Sequence, residues 1–111
     1  MLVPFESLPD SARIWVYQSN RPFSDGEIAE IKTDLDAFLT QWTAHGANLK
    51  AGYEIPYNRF LVIGLDQEHA EASGCSIDAS VHFIQSLEGK FGITLLDRMN
   101  VSYKQGPHIA Y

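Results

Sequence analysis

Apolar residues recur with helical spacing in two long segments of the chain. The first segment opens with Ser24-Asp25-Gly26-Glu27, where Ser24 can cap the first turn and Glu27 can reach back to it, as in a capping box. Gly46 suits the position that follows a helix, so we predict a helix from about residue 24 to 45. Its apolar face comprises Ile28, Ile31, Leu35, Phe38, Leu39 and Trp42.

The second helical pattern follows a turn of small residues, Ala72–Asp78. Its apolar positions recur at steps of four and three residues, the spacing of a helix that lies on a core. We predict a helix from about residue 76 to 91 that ends near Gly89–Gly92. Its predicted buried stripe consists of Ile77, Val81, Ile84, Leu87 and Phe91.

Runs of β-branched and aromatic residues predict the strands. The first is Arg13–Gln18, and the second is Lys50–Ile55. Phe60–Leu65 is an unbroken apolar run, typical of a central strand that is buried on both faces. Val101–Lys104 is a further strand, whereas Ile93–Leu96 is either a short strand or a turn.

The predicted order β-α-β-β-α-β indicates a single α+β domain over residues 1–111. Two helices on one face of an antiparallel sheet would form a ferredoxin-like two-layer sandwich. The run Ile109–Tyr111 leaves open an extra strand at the C-terminus. One shared core should contain Ile31, Phe38, Val62, Val81 and Ile84.

Two aromatic residues of the first strand suggest an interface with a partner. Successive side chains of a strand alternate between its faces, so Trp15 and Tyr17 share one face. We expect this face to point away from the helices. A large exposed aromatic patch usually marks an interface, which predicts cover by the C-terminal segment or by a second copy in a homo-oligomer. Alternatively, the rings could stack on the bases of single-stranded nucleic acid.

Charge and composition narrow the class of protein. The formal net charge of −6 argues against a nucleic-acid partner, because phosphate backbones are repelled. No apolar run is long enough for a membrane span. The first residues lack the basic region and apolar core of a signal peptide, so we predict a cytoplasmic protein. Cys75 is the single cysteine, which excludes an internal disulfide and a cysteine-based zinc site.

The turn before the second helix is the candidate ligand site. Backbone N–H groups at a helix start have no helical acceptor and favour negative charge. Gly74 has no side chain, so a ligand can approach the backbone closely. These features predict a small anionic or carboxylate-bearing ligand, while the alternative is a helix start that is only capped. The candidate ligand-binding residues are His45, Arg59, Ser73, Gly74, Cys75, Ser76 and Asp78.

An enzyme is the second hypothesis for the same turn. A thiol at a helix N-terminus is stabilised as a thiolate, so Cys75 could act as the nucleophile of a small hydrolase or transferase. It would need a base within reach, for which His45 is one candidate. His82 lies four residues after Asp78, which more simply predicts a surface pair on one helix face. No catalytic residue is assigned on these grounds.

The sequence predicts neither a metal nor a cofactor. The cluster Asp66–Glu71 contains carboxylates and a histidine, but it lacks a recognised spacing of metal ligands. Gly89-Lys90 is not part of a phosphate-binding loop, because Ile84 and Phe91 occupy the positions of its Gly and its Ser or Thr. The Asp66–Glu71 cluster is explained by a solvated loop.

Five segments are distinctive together: Ala12–Gln18, Trp42–Gly46, Tyr57–Phe60, Gly74–Asp78 and Asp97–Val101. They resemble a family of small uncharacterised bacterial proteins that carry the name ABC transporter ATPase, and the likeness covers nearly the whole chain. The name implies ATP hydrolysis, yet the chain has no Walker A motif and no ABC signature. The resemblance implies no catalytic residue. It also implies that family members continue beyond this C-terminus, so the chain is either truncated or a short member.

Overall fold

The computed structural model describes the backbone of residues 1–102 and the side chains of residues 1–95. The predicted α+β class is confirmed, with two helices and antiparallel sheets, whereas the extra strand considered at Ile109–Tyr111 lies outside the described residues. None of the helices within residues 1–102 is both long and apolar enough to cross a membrane. The elements are β1 (Arg13–Ser19), α1 (Asp25–Gln41), β2 (Thr43–Ala44), β3 (Ala47–Asn48), β4 (Ala51–Glu54), β5 (Phe60–Leu65), α2 (Gly74–Phe91) and β6 (Leu95–Ser102), with 3-10 turns at Phe5–Ser7 and Pro56–Asn58.

The main sheet has the strand order β4-β5-β1-β6, and each neighbouring pair is antiparallel. All six residues of β5 are buried, which confirms the prediction of a strand covered on both faces. β6 joins the two late segments that were predicted separately, since it begins at Leu95 within the first and includes Val101 and Ser102 of the second. Its pairing with β1 contains an irregularity between Val16 and Tyr17. β2 and β3 form a hairpin of their own.

The start of α1 is as predicted. The Ser24 hydroxyl accepts a hydrogen bond from the Glu27 N–H (3.2 Å), and the Glu27 carboxylate accepts one from the Ser24 N–H (2.9 Å). This capping box satisfies two N–H groups that a helix start leaves without partners. Ile31, Leu35 and Leu39 are buried on the inner face of the helix.

The predicted end of α1 at residue 45 is wrong. The helix ends at Gln41, and the chain continues directly into the β2–β3 hairpin. His45 and Gly46 form the tip of this hairpin, with φ angles of 52° and 78°. A two-residue hairpin turn of this type requires positive φ at both positions, so Gly46 serves the hairpin rather than the helix end.

The prediction that Trp15 and Tyr17 face away from the helices is also wrong. Both rings lie in the core between the sheet and the helices, where they are 5% and 6% exposed. Trp15 packs edge-to-face against Trp42, with ring centroids 6.0 Å apart. Strand alternation dictates that the two rings share a face, but it does not say which face the helices cover. The exposed patch that suggested a homo-oligomer interface or base stacking is therefore absent.

The opposite face of the sheet is covered by the N-terminal segment. Phe5, Leu8 and Ala12 pack there in a second core. The predicted single core is therefore wrong, because Val62 belongs to this second core and Val81 is 41% exposed. The sheet residues of the second core are Ile14, Val16, Phe60 and Val62.

The buried stripe of α2 differs from the predicted stripe because it includes two serines. Ser76 and Ser80 are buried together with Ile84 and Leu87. The Ser80 hydroxyl donates to the Ile77 carbonyl (2.6 Å), so it is satisfied within its own helix. Small hydroxyl residues bonded in this way can face a core without an unsatisfied polar atom.

Candidate functional site

A groove of about 420 Å³ lies between the tip of the β2–β3 hairpin and the first turn of α2. We call it the hairpin groove. It brings together four of the residues predicted for the ligand site, although they come from segments almost 30 positions apart. Its lining consists of Phe38, Gln41, Trp42, Thr43, His45, Ser73, Cys75, Ser76 and Ala79.

The first turn of α2 carries its own capping box. The Ser73 hydroxyl accepts from the Ser76 N–H (3.1 Å), while the Ser76 hydroxyl accepts from the Ser73 N–H (2.8 Å) and donates to the Ser73 carbonyl (2.8 Å). The Ile77 N–H bonds to the Ser73 carbonyl. The N–H groups of Gly74 and Cys75 are the first-turn donors that remain without a helical acceptor.

Trp42 lines the hairpin groove and is also part of the core. Its indole Nε1–H donates to the Ser76 carbonyl at 2.8 Å, and this bond is buried. The centroid of the Phe38 ring lies 5.5 Å from that of Trp42. The same ring stacks on Phe83, with centroids 4.5 Å apart. The groove therefore has an aromatic wall that joins the end of α1 to the start of α2.

The chemically reactive side chains of the groove are exposed and are not hydrogen-bonded to each other. His45 projects from the hairpin tip, and the Cys75 thiol is free and exposed. Neither side chain takes part in a hydrogen bond or ion pair within the described residues. The groove thus contains a thiol and an imidazole, but it does not contain a formed nucleophile–base pair.

Three predicted site residues are not part of the lining. Gly74 lies in the first turn of α2, beside Ser73 and Cys75. Arg59 precedes β5 and donates to the carbonyls of Ser19 (3.3 Å) and Asn20 (3.2 Å). The length of β5, about 20 Å at 3.3 Å per residue, separates it from the end of the strand that leads to α2, so the expectation that it completes the site is wrong. Asp78 is not part of the groove lining. It lies 3.9 Å from His82 on the exposed face of α2, as predicted for a surface pair.

The loop between β5 and α2 has a structural role. The carboxylate of Asp66, which is 9% exposed, accepts from the N–H groups of Glu68 (2.9 Å) and His69 (3.3 Å). These bonds close the turn that follows β5. Within the described residues, no group of three or more His, Cys, Asp or Glu side chains is arranged to hold a metal ion.

The sequence interpretation missed a larger cavity, of about 780 Å³, beside the outer edge of β4. We call it the edge cavity. Three separate segments line it, namely Leu2–Glu6, α1 through Lys32 and Asp36, and Tyr53–Pro56. The Tyr53 hydroxyl donates to Asp36 at 2.8 Å, and burial together with this carboxylate raises the pKa of Tyr53 to about 12. The one local sign of this cavity in the sequence was the spacing of Lys32 and Asp36, which predicts that both side chains lie on the same face of the helix.

Comparison of the chain with protein-family models, with curated proteins and with solved structures gave no match. The resemblance to the family named ABC transporter ATPase therefore stays a prediction, and the function is inferred from the geometry of the molecule.

Proposed function

We propose that the protein is a small ligand-binding domain whose hairpin groove takes an anionic or carboxylate-bearing molecule. The observation that carries this proposal is the lining of the groove, since none of its nine residues is acidic. The chain has a net charge of −6, so most of its surface repels anions. A concave surface free of carboxylates is where an anion would meet the least repulsion.

The groove offers an anion both charge and hydrogen bonds. The N–H groups of Gly74 and Cys75 are available at the positive end of the α2 dipole. His45, from the hairpin tip, adds a donor that becomes cationic when it is protonated. Trp42 and Phe38 supply an apolar wall for the rest of a ligand. This combination suits a small acid or a phosphorylated molecule with a flat or apolar body.

NMR titration of the labelled protein with phosphate, acetate and ATP tests the proposal. We expect concentration-dependent shifts of the Gly74 and Cys75 amide signals. His45→Ala should weaken binding by about tenfold, the scale of one hydrogen bond to a charged group. Cys75→Ala should leave the affinity unchanged, because the backbone rather than the thiol holds the anion.

His82→Ala is the matched control, since this histidine lies on α2 outside the groove lining. It should leave the affinity of all three probes unchanged. Equal losses for His45→Ala and His82→Ala would indicate a nonspecific charge effect. Shifts spread evenly over the chain, or no shifts at all, would contradict a site at this groove.

A small hydrolase or transferase is the second candidate, because the same groove contains the Cys75 thiol and the His45 imidazole. It ranks below ligand binding because the two side chains are not hydrogen-bonded. Turnover of an activated ester that disappears in Cys75→Ala, with ligand affinity retained, would favour the enzyme. Base stacking by Trp15 and Tyr17 is not proposed, because both rings are buried.

We also propose that the fold is of the ferredoxin-like class. Support comes from the element order and from a sheet in which β1 and β5 lie between β4 and β6. A cytoplasmic location stays a prediction from the sequence pattern. ATP hydrolysis, which the resemblance implies, is not part of the proposal, because the motifs that would cradle the phosphates are missing from the sequence.

A further inference from the structure

The edge cavity forms where the N-terminal segment leaves the sheet. Leu2 makes a parallel bridge with Ala51, and the Val3 N–H donates to the Ala51 carbonyl at 2.9 Å. The pairing does not continue to Tyr53, the next residue of β4 whose backbone groups face this edge, because no backbone hydrogen bond joins Tyr53 to the N-terminal segment within residues 1–102. The chain then turns away at Phe5–Ser7 and leaves the second half of β4 open along its outer edge.

The backbone of Tyr53 faces this opening. In an antiparallel strand, the N–H and C=O groups of alternate residues point to the same side. Ala51 uses its groups to pair with the N-terminal segment, so those of Tyr53, two residues later, also point outward. They have no backbone partner within residues 1–102. The cavity is thereby provided with one fixed donor and one fixed acceptor.

The charges around the cavity are unbalanced. Glu6, Asp36 and Glu54 line it, while Lys32 is the lining residue with a positive charge. None of the ion pairs among the described side chains involves Glu6 or Glu54. Burial, and then repulsion from Glu6, raise the pKa of Glu54, which indicates that no nearby cation compensates this carboxylate.

The rest of the lining is apolar and the cavity is of ligand size. Its volume lies within the range of about 300–1,000 Å³ that small-molecule sites occupy. The carboxylates are not grouped in a way that could hold a metal ion among the described residues. The apolar part of the wall is formed by Leu2, Val3, Pro4, Phe5, Ile55 and Pro56.

We propose that the edge cavity binds a small organic cation, an ammonium or guanidinium group carried on an aliphatic chain. The charged head lies between Glu6 and Glu54, and the aliphatic chain lies along the apolar wall. An ammonium or guanidinium group donates to carboxylates in charge-assisted hydrogen bonds and can also donate to the outward carbonyl of Tyr53. The site is separate from the hairpin groove, which has no acidic lining residue.

Titration with n-pentylammonium, n-pentanol and pentanoate at constant ionic strength tests this proposal, with the amide signals of residues 2–6 and 53–55 as the readout. The ammonium should bind, while the neutral and anionic analogues should bind at least about tenfold more weakly, the scale of one charge-assisted hydrogen bond. Glu54→Gln should reduce the affinity for n-pentylammonium by a similar factor. Glu6→Gln supplies the same test at the second carboxylate.

Glu71→Gln is the matched control, because it removes one negative charge from an exposed loop residue outside the cavity. Its affinity for n-pentylammonium should stay within twofold of the parent protein. Three results would each overturn the proposal: equal binding of n-pentanol and n-pentylammonium, equal losses for Glu71→Gln and Glu54→Gln, or signal shifts confined to the hairpin groove. Thermal unfolding of each variant establishes that the compared proteins are folded.

Discussion

Two glycines should respond in opposite ways to an added methyl group. Gly46, at the tip of the β2–β3 hairpin, has a φ of 78°, which side chains rarely adopt. Gly89 lies within α2, and a Cβ there would meet no atom within 4 Å. A Cβ at Gly46 also meets open space, so any penalty there comes from the backbone conformation alone.

Gly46→Ala should therefore destabilise the protein by about 1–2 kcal/mol, the cost of a left-handed conformation for an L-residue. Gly89→Ala should stabilise it by about 0.5–1 kcal/mol, because the unfolded chain loses freedom and the helix gains propensity. Urea unfolding of both variants measures the difference. A neutral Gly46→Ala would show that the hairpin turn relaxes to negative φ in solution.

At the residue scale, a local structure could be predicted where the residues fit one structure, but not where the same residues fit two. The Ser24–Glu27 capping box depends on four consecutive residues and was predicted correctly. His45-Gly46 satisfies the sequence pattern of a helix end as well as that of a hairpin tip. The strands β2 and β3 have two residues each, too short for a period-two pattern, so the sequence did not favour the hairpin over the helix end.

The two helices are tied together at one end by Arg21. Its guanidinium binds both oxygens of Glu27, at 2.8 and 2.7 Å, and also donates to the Phe91 carbonyl at 3.0 Å. The start of α1 is thus linked to the last residue of α2. The hydrogen bonds from Arg21, and then the backbone bond from Ser24, lower the pKa of Glu27 from 4.5 to about 2.

A lowered pKa makes this link sensitive to acid. The folded state favours ionised Glu27, so its contribution to stability is complete above pH 4.5 and is lost as the pH falls towards 2. Glu27→Gln should flatten the dependence of unfolding free energy on pH within this window. Glu30→Gln, an exposed position on α1, is the control and should keep the slope of the parent protein. Parallel curves for the parent and Glu27→Gln would contradict the link.

At the level of elements, the positions of the helices and strands could be predicted better than the faces that they bury. The stripe predicted for α2 included Val81 because apolar residues were counted, whereas Ser76 and Ser80 are buried. The two serines bond to carbonyls of their own helix, and small side chains allow the helix to approach Trp42. Burial of satisfied hydroxyls has no hydrophobic signature, so the sequence pattern alone could not reveal this face.

The edge cavity could not be predicted from the sequence, because no local pattern marks it. The hairpin groove was predicted in part because the first turn of α2 concentrates its chemistry in consecutive residues. The edge cavity depends on Glu6, Asp36 and Glu54, which are brought together only by the tertiary fold. Arg59 was the opposite case, since its position beside a buried strand suggested a site that the direction of β5 excludes.

At the scale of the whole molecule, the sheet has cover on both faces. The helices cover the face with Trp15 and Tyr17, and the N-terminal segment covers the other. Gly52 allows this close cover, because a Cβ there would lie 2.5 Å from the Val3 carbonyl oxygen. Leu8 also reaches the sheet, since its Cδ1 would lie 2.5 Å from a Cβ on Gly64. The N-terminal segment is thus a packed layer of the protein.

Truncation of Leu8 tests how much this layer contributes to the fold. Leu8 is 5% exposed, so Leu8→Ala should destabilise the protein by about 2–5 kcal/mol through lost burial and a cavity. Val81→Ala, at a residue that is 41% exposed, is the control and should stay within about 0.5 kcal/mol of the parent. Gly52→Ala should destabilise by the independent route of a clash with the backbone of residue 3. If urea unfolding gave parental stability for both Leu8→Ala and Gly52→Ala, the second face of the sheet would be free in solution, and sedimentation would then show whether copies of the chain pair through it.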